Sequence, residues 1–269
     1  MPISEMLISS RTNARVKQLR AAFEGNARLS GGLVAIEGDH LLAEAVRSGL
    51  LLKTVFATER RELPLSLPLN AEVLRLTADV FRSAVETQSP QGIAALVEPP
   101  VFAMDDVFSG TPLVLIAAGL QDPGNLGTLI RSAEAFGATG VFTTPGTVSA
   151  WNQKAVRASV GSVFRVPVLA ATLDNVAELK KRGVRLLAAV GAADSQTKRA
   201  QDVDFRRACA VMIGNEGAGL GAEWLNSADE RVTIPCPGPV ESLNAAIAGS
   251  LLLYEASRQR TTNPAEVKR

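Results

Sequence analysis

Apolar positions recur at offsets of three and four over the first turns of the chain, where Val16, Leu19 and Phe23 share one face. This spacing predicts a helix that Ser10 can cap. The pattern then changes to short apolar runs. LVAIEG (33–38) reads as a buried strand, Asp39 as the cap of a short helix HLLAEAVRS closed by Gly49, and LLKTVFAT (51–58) as another strand. EVLRLT, a short helix over TADVFRSAVET and the strand GIAALVE follow. Strands alternating with helices predict a layered α/β domain. Pro99, Pro100, Gly110 and Pro112 interrupt the alternation, which places a linker at 99–111 between a domain over 1–98 and one over 112–269.

The alternation resumes more strongly beyond the linker. LVLIAAG (113–119) is nearly all apolar, as a strand covered on both faces must be. A helix over NLGTLIRSAEAF ends at Gly137, and strand GVFTT, helix NQKAVRASV and the stretch VFRVPVLA come next. Helix LDNVAELKKR and strands VRLLAAV, ACAVMIG and RVTIP precede a long helix over roughly 241–259. The expected fold is an α/β domain with a mostly parallel sheet, in which ligands gather at the carboxyl ends of the strands.

Three strand-end loops carry the candidate chemistry: 117–131, 212–221 and 234–244. In the first, Asn125 stands at the start of a helix, where a capping role is the plain alternative. Arg131 lies six residues on, among Leu129, Ile130 and Ala133; six residues turn a helix by about 600°, so the two do not share a face. A snorkelling surface arginine and a guanidinium aimed at an anion are both open readings. In the second loop Glu216 sits between Gly214 and Gly217, where glycines allow close backbone approach. Gly217, Gly219 and Gly221 lack the context of a dinucleotide fingerprint. In the third, alternating Pro235, Pro237 and Pro239 stiffen the loop ahead of Ser242 and Asn244. Leu243, Ile247, Leu251 and Tyr254 form an apolar stripe on the last helix, and Ala245, Ala246, Ala248 and Gly249 give it a small-residue face.

Composition narrows the chemistry. The 269 residues are 46% hydrophobic and 20% charged, enough apolar material for two cores. One histidine (His40) removes most histidine-based catalysis, so Ser242 lacks a plausible base and a serine hydrolase is disfavoured. Two cysteines exclude a disulfide scaffold, and with one histidine they disfavour a zinc site; no metal is expected. Twenty-eight basic against 27 acidic residues exclude a strongly basic coat but not a local patch. Arg11, Arg15, Lys17 and Arg20 cluster on the first helix, either as a solvated face or as phosphate contacts. No apolar run reaches about 18 residues and no signal pattern opens the chain, so a cytoplasmic protein without a membrane partner is expected.

Taken in order, NLGTLIR (125–131), IGNEG (213–217) and IPCPGPVESLNAAIAGSLLLYE (234–255) resemble the three motifs of the SpoU (TrmH-type) RNA ribose 2′-O-methyltransferases of the SPOUT superfamily. KAVRASVGSVFRVPV (154–168) is similar to the family's connecting segment, and VAIEGDHLLAEAV (34–46) to its substrate-binding domain. Cys236 and Pro237 depart from the usual motif.

The resemblance implies a deep trefoil knot in the C-terminal domain, with S-adenosyl-L-methionine held among the knot loops. Backbone groups of Gly214, Ile234 and Leu243, with Asn215 and Pro235 beside them, are the implied cofactor contacts. It implies further that Arg131 engages the RNA phosphate and hydroxyl, and that Asn125, Glu216, Ser242 and Asn244 fix it, the ribose and the loops. RNA is expected to be held by Arg11, Arg15, Lys17, Arg20, Arg157 and Arg165. A homodimer through the last helix, with its small-residue face suited to that packing, and a ribosomal rather than a transfer RNA are implied as well. A non-catalytic RNA-binding protein and a Rossmann-type small-molecule enzyme are the competing readings.

Overall fold

In this computed structural model residues 7–261 are described, apart from 26, 66, 69, 70, 192, 193 and 241. The opening six residues, in which no signal pattern is read, and the expected start of the last helix at 241 lie outside them.

The chain divides into two compact units, residues 1–101 with 151–165, and residues 102–150 with 166–269. The first unit is built from β1 (Leu7–Ile8), α1 (Ala14–Phe23), α2 (Ala27–Ser30), β2 (Val34–Glu37), α3 (Asp39–Arg47), β3 (Leu52–Thr58), β4 (Glu72–Leu76), α4 (Ala78–Ala84) and β5 (Ile93–Val97). Its sheet order is β1-β4-β3-β5-β2; β1, β4 and β3 are parallel, and β5 runs against both β3 and β2. Val16, Leu19 and Phe23 are buried against Phe56, Leu76 and Phe81, so the spacing of three and four does mark the core face of α1. The cap is not Ser10. The Asn13 carboxamide accepts the Arg15 N–H at 2.9 Å, while Ser10 and Thr12 hydroxyls bond one another in the preceding turn. Asp39 likewise opens α3 from inside its first turn; the cap is Gly38, at φ +92°, and the Asp39 carboxylate pairs with Arg61.

The second unit contains β6 (Leu113–Ala117), α5 (Pro123–Ala135), β7 (Gly140–Thr143), β8 (Val168–Ala170), α7 (Leu173–Lys181), β9 (Arg185–Ala189), β10 (Thr197–Arg199), β11 (Cys209–Ile213), α8 (Ala222–Ser227), β12 (Glu230–Thr233) and α9 (Ala245–Arg260). The intervening α6 (Gln153–Ser159) belongs to the first unit. Seven strands in the order β10-β12-β9-β11-β6-β7-β8 pair in parallel throughout. β6 and β11 are buried along their whole length, as their near-continuous apolar runs require. Successive side chains alternate between the faces. Val114, Ile116, Ala210 and Met212 point to the core shared with α7, whereas Ile213 points to α9. There α9 comes so close that a Cβ at Gly249 would overlap Leu129 of α5 and stand 3.2 Å from Ile213.

Two details refine the expected boundaries. Residues 104–108 form a 3-10 helix whose Val107 is fully buried in the second unit's core, so the stretch 99–111 is not a bare linker. Residues 151–165 pack in the first unit although the motif-bearing region surrounds them in sequence. Gln153 Nε2 donates to Ala35 O at 2.9 Å, and Arg165 Nη1 to Glu44 Oε2 and Ser48 Oγ at 2.9 and 2.8 Å. Gly161, at φ +84°, lies where a Cβ would overlap the Glu44 side chain.

Candidate functional site

Strand order reverses around β6 and β11, and a crevice forms beyond the carboxyl ends of strands at such a switch. Loops from β6, β11 and β12 meet there. Asp122 caps α5 by accepting the Gly124 and Asn125 N–H groups, with Pro123 in the first position. This frees the Asn125 side chain from the capping role open to it in sequence. Asn125 Nδ2 donates to Glu216 Oε1, and Asn125 Oδ1 accepts from Asn244 Nδ2 at 3.2 Å. One carboxamide thereby ties all three loops together. Asn244, not Ser242, caps α9: its Oδ1 accepts from Ala246 and Ile247 N–H at 2.9 and 3.2 Å.

The second loop is a closed turn. Asn215 N and O pair with Gly219 O and N at 3.1 and 2.8 Å, and Asn215 Oδ1 accepts from the Gly217 and Ala218 amides. Gly214 is obligatory because a Cβ there would fall on the backbone of Gly219 and Leu220. Asn215 Nδ2 reaches across to Gly119 O at 2.9 Å. The Asn215 side chain is therefore occupied in holding loops.

The second and third of these loops border a cavity of about 280 Å³. Gly214, Asn215, Glu216, Ile234, Ser242 and Leu243 line it, together with Cys236, the 217–219 turn and the inner face of α9. Pro235 and Asn244 stand outside the lining, as do Asn125 and Arg131. A further wall, Ala189 to Gly191 after β9, escaped the sequence reading. Its signal was present, since VRLLAAVG ends in glycine after an apolar strand just as the others do. Val190, Val232, Ile234 and Leu252 give an apolar bed for a flat ring system, and the glycine turns offer peptide groups at its edge. That lining fits an adenosine-bearing cofactor. Among the described residues no three His, Cys, Asp or Glu side chains come together to hold a metal ion.

Arg131 stands on the exposed face of α5, about 9 Å along the axis from Asn125, and bonds no described residue. It is not the embedded arginine that its neighbours in sequence suggest, because Leu129, Ile130 and Ala133 turn inward while it turns out.

The expected RNA contacts divide in two. Lys17 and Arg157 are exposed and bond no described residue. Arg11 pairs with Asp79, Arg15 with Glu72 at 3.1 Å, and Arg20 donates to Ser83 O at 3.1 Å. Arg165 departs from its expected role, because its guanidinium is committed to the buried Glu44 carboxylate.

Known proteins resemble the chain over both units. The family model described as the SpoU rRNA Methylase family matches residues 112–254, and the MRM3-like substrate binding domain matches 13–95. The 23S rRNA (guanosine(2553)-2′-O)-methyltransferase RlmP of Bacillus subtilis is 34% identical over 248 residues, 92% of this chain and 97% of that protein. The 23S rRNA (uridine(2479)-2′-O)-methyltransferase of Streptomyces viridochromogenes is 32% identical, over 94% and 92%. The crystal structure of the SpoU methyltransferase AviRb from Streptomyces viridochromogenes, in complex with the cofactor AdoMet, superposes with a TM-score of 0.82 at 30% identity, covering 93% of this chain and 99% of that one.

Proposed function

The chain belongs to the SpoU rRNA methylase family, and we propose that it is an enzyme that transfers a methyl group from S-adenosyl-L-methionine to a ribose 2′-hydroxyl of RNA, ribosomal rather than transfer RNA. One observation carries the proposal: a glycine-walled cavity at the carboxyl ends of β9, β11 and β12, with Asn125 bonded to both Glu216 and Asn244 at its edge. The named relatives act on 23S rRNA, which favours the ribosomal substrate.

When bound, S-adenosylmethionine supplies a methyl group already activated by its positive sulfur. The protein's task is placement of the hydroxyl, since orientation alone lowers such a barrier substantially. The hydroxyl that accepts the methyl group would give up its proton to solvent, and the spent cofactor would leave as a neutral thioether. A guanidinium close to that oxygen favours the developing alkoxide electrostatically. In this reading Arg131 is the phosphate clamp and charge stabiliser, its planar fork of donors being suited to a phosphate. Asn125 keeps the Glu216 loop and the head of α9 in register. Glu216 Oε2 bonds no described residue and is free to accept a hydrogen bond from the ligand. Lys17 and Arg157, with the loosely paired Arg11 and Arg15, hold the RNA backbone.

The last helix presents Ile247, Leu251 and Tyr254 to solvent, 51%, 43% and 51% exposed, and this stripe is the proposed homodimer face. The family's trefoil knot and a cytoplasmic location belong to the same reading. Among the described residues no helix is long and apolar enough to cross a membrane.

The test is radiolabelled methyl transfer to ribosomal RNA by the wild-type chain and by Arg131→Ala. The variant is expected to lose transfer by a factor of about 100 or more while binding S-adenosylhomocysteine normally. Absence of transfer by the wild type to any RNA, with the cofactor bound, would leave a non-catalytic RNA-binding protein.

A further inference from the structure

The segment after β7, Thr144 to Val148, lies outside every sequence motif, yet it holds the first site loop. The Gly119 N–H donates to Thr144 Oγ1 and to Thr147 Oγ1, each at 3.0 Å. The Thr147 hydroxyl donates onward to Ala117 O at 3.0 Å, and the Val148 N–H to Leu120 O at 2.8 Å. One side chain therefore spans the turn from Ala117 to Gly119. Gly119 itself has φ +67°, a conformation that glycine adopts freely and that its neighbours must select. Its carbonyl accepts from Asn215 Nδ2, and Asn215 Oδ1 accepts from Gly217 and Ala218, on either side of the turn that carries Glu216.

We propose that Thr147, assisted by Thr144, is a positioning residue for the methyltransferase cavity: it fixes Gly119, and Gly119 through Asn215 fixes the Glu216 turn. This rests on the function proposed above. Thr144 is buried and Thr147 half-buried, so water competes weakly for Gly119. By contrast, residues 216–219 are exposed and contain two glycines, so the turn depends on ties from outside itself. Asn215 to Gly119 is one of its two ties to the first loop, beside Asn125 to Glu216. Thr147→Val removes the hydroxyl at nearly constant shape. Asn215→Asp keeps the oxygen that receives Gly217 and Ala218 but faces Gly119 O with an acceptor, so it cuts the relay at a second point.

Two readouts test the relay on the full chain. The first is amide exchange at Gly217 and Ala218 without ligand; the second is S-adenosylhomocysteine affinity by calorimetry. Thr147→Val is expected to speed exchange and weaken binding about tenfold each, and Thr147→Ser to match the wild type in both. Asn215→Asp is expected to behave like Thr147→Val. The double variant should lose about tenfold rather than the hundredfold of independent sites, because both changes cut one path. A folded Thr147→Val with wild-type exchange and affinity overturns the proposal, as does a hundredfold loss in the double variant. If the valine variant does not fold, Thr147→Ala against Thr147→Ser gives the same comparison. A wild-type chain that does not bind S-adenosylhomocysteine overturns the cofactor reading alone, because exchange reads the relay without any ligand.

Discussion

Asparagine recurs at the site for a reason visible in its carboxamide, which donates and accepts from one rigid plane. Asn125 uses both ends to join Glu216 to Asn244, and Asn215 uses both to join its own turn to Gly119. Neither aspartate nor leucine could do this. The basic side chains follow the opposite logic, since what matters is whether they are already committed. Arg165 and Lys17 are both single positive charges proposed from sequence for RNA. Arg165 shares with Arg47 the pairing of Glu44, a carboxylate only 4% exposed, whereas Lys17 meets solvent. Removing Arg165 leaves Glu44 with Arg47 and takes away a charge-assisted hydrogen bond to a buried carboxylate, at a cost of about 1–3 kcal/mol. Arg165→Ala is therefore expected to lower the urea midpoint of unfolding while leaving the salt dependence of RNA binding in place. Lys17→Ala is expected to do the reverse, reducing the slope of log affinity against log salt by about one. Equal effects of the two variants on RNA binding would return Arg165 to the interface.

At the scale of elements, the strands and long helices were legible because burial writes a period into the chain. LVLIAAG and ACAVMIG became β6 and β11, each buried along its whole length and together flanking the switch point. What periodicity could not settle was which face of α9 is inside. Leu243, Ile247, Leu251 and Tyr254 look like a core stripe, but the buried face is Ala245, Ala246, Gly249, Leu252, Leu253 and Ala256, where small residues let α5 approach. A stripe for a partner and a stripe for the core are the same signal in one sequence. Short edge elements were missed altogether. β10 is three residues, TKR, without apolar pattern; it is held by parallel pairing to β12 and by charges. Those charges make the edge sensitive to acid. Burial pushes the Glu230 carboxyl up, but the hydrogen bond and charge of Lys198, joined by Arg185, outweigh it and hold the group below its ordinary 4.5. A folded-state value below the unfolded one stabilises the fold above about pH 4.5, and this contribution is lost as pH falls through the folded value. Glu230→Gln is expected to lower the urea midpoint at pH 7 and to flatten its decline towards pH 4. A decline as steep as that of the wild type would place the acid-sensitive carboxylates elsewhere.

For the whole molecule, the near balance of 28 basic against 27 acidic residues means that neither RNA binding nor self-association is governed by net charge. Local surfaces decide both. Two of the three motif loops border the cavity, but the loop after β7 was invisible because its threonines bond backbone groups. The same blindness applies to a second copy of the chain, which no single sequence can show. Ile247, Leu251 and Tyr254 are three large apolar side chains at offsets of four and three, so they lie along one line of α9, and the Tyr254 ring meets Phe136 edge-on at 5.7 Å. A line of this kind is self-complementary under a two-fold axis, the commonest arrangement for soluble oligomers. Because the stripe lies outside the core, charging it should break association without unfolding the protomer. Leu251→Lys is expected to sediment as a monomer at concentrations where the wild type sediments as a dimer, with a circular dichroism spectrum unchanged. A wild-type monomer, or a Leu251→Lys dimer, would show that the stripe serves some other surface. A variant that loses its helical signal together with its partner would instead place α9 folding downstream of assembly.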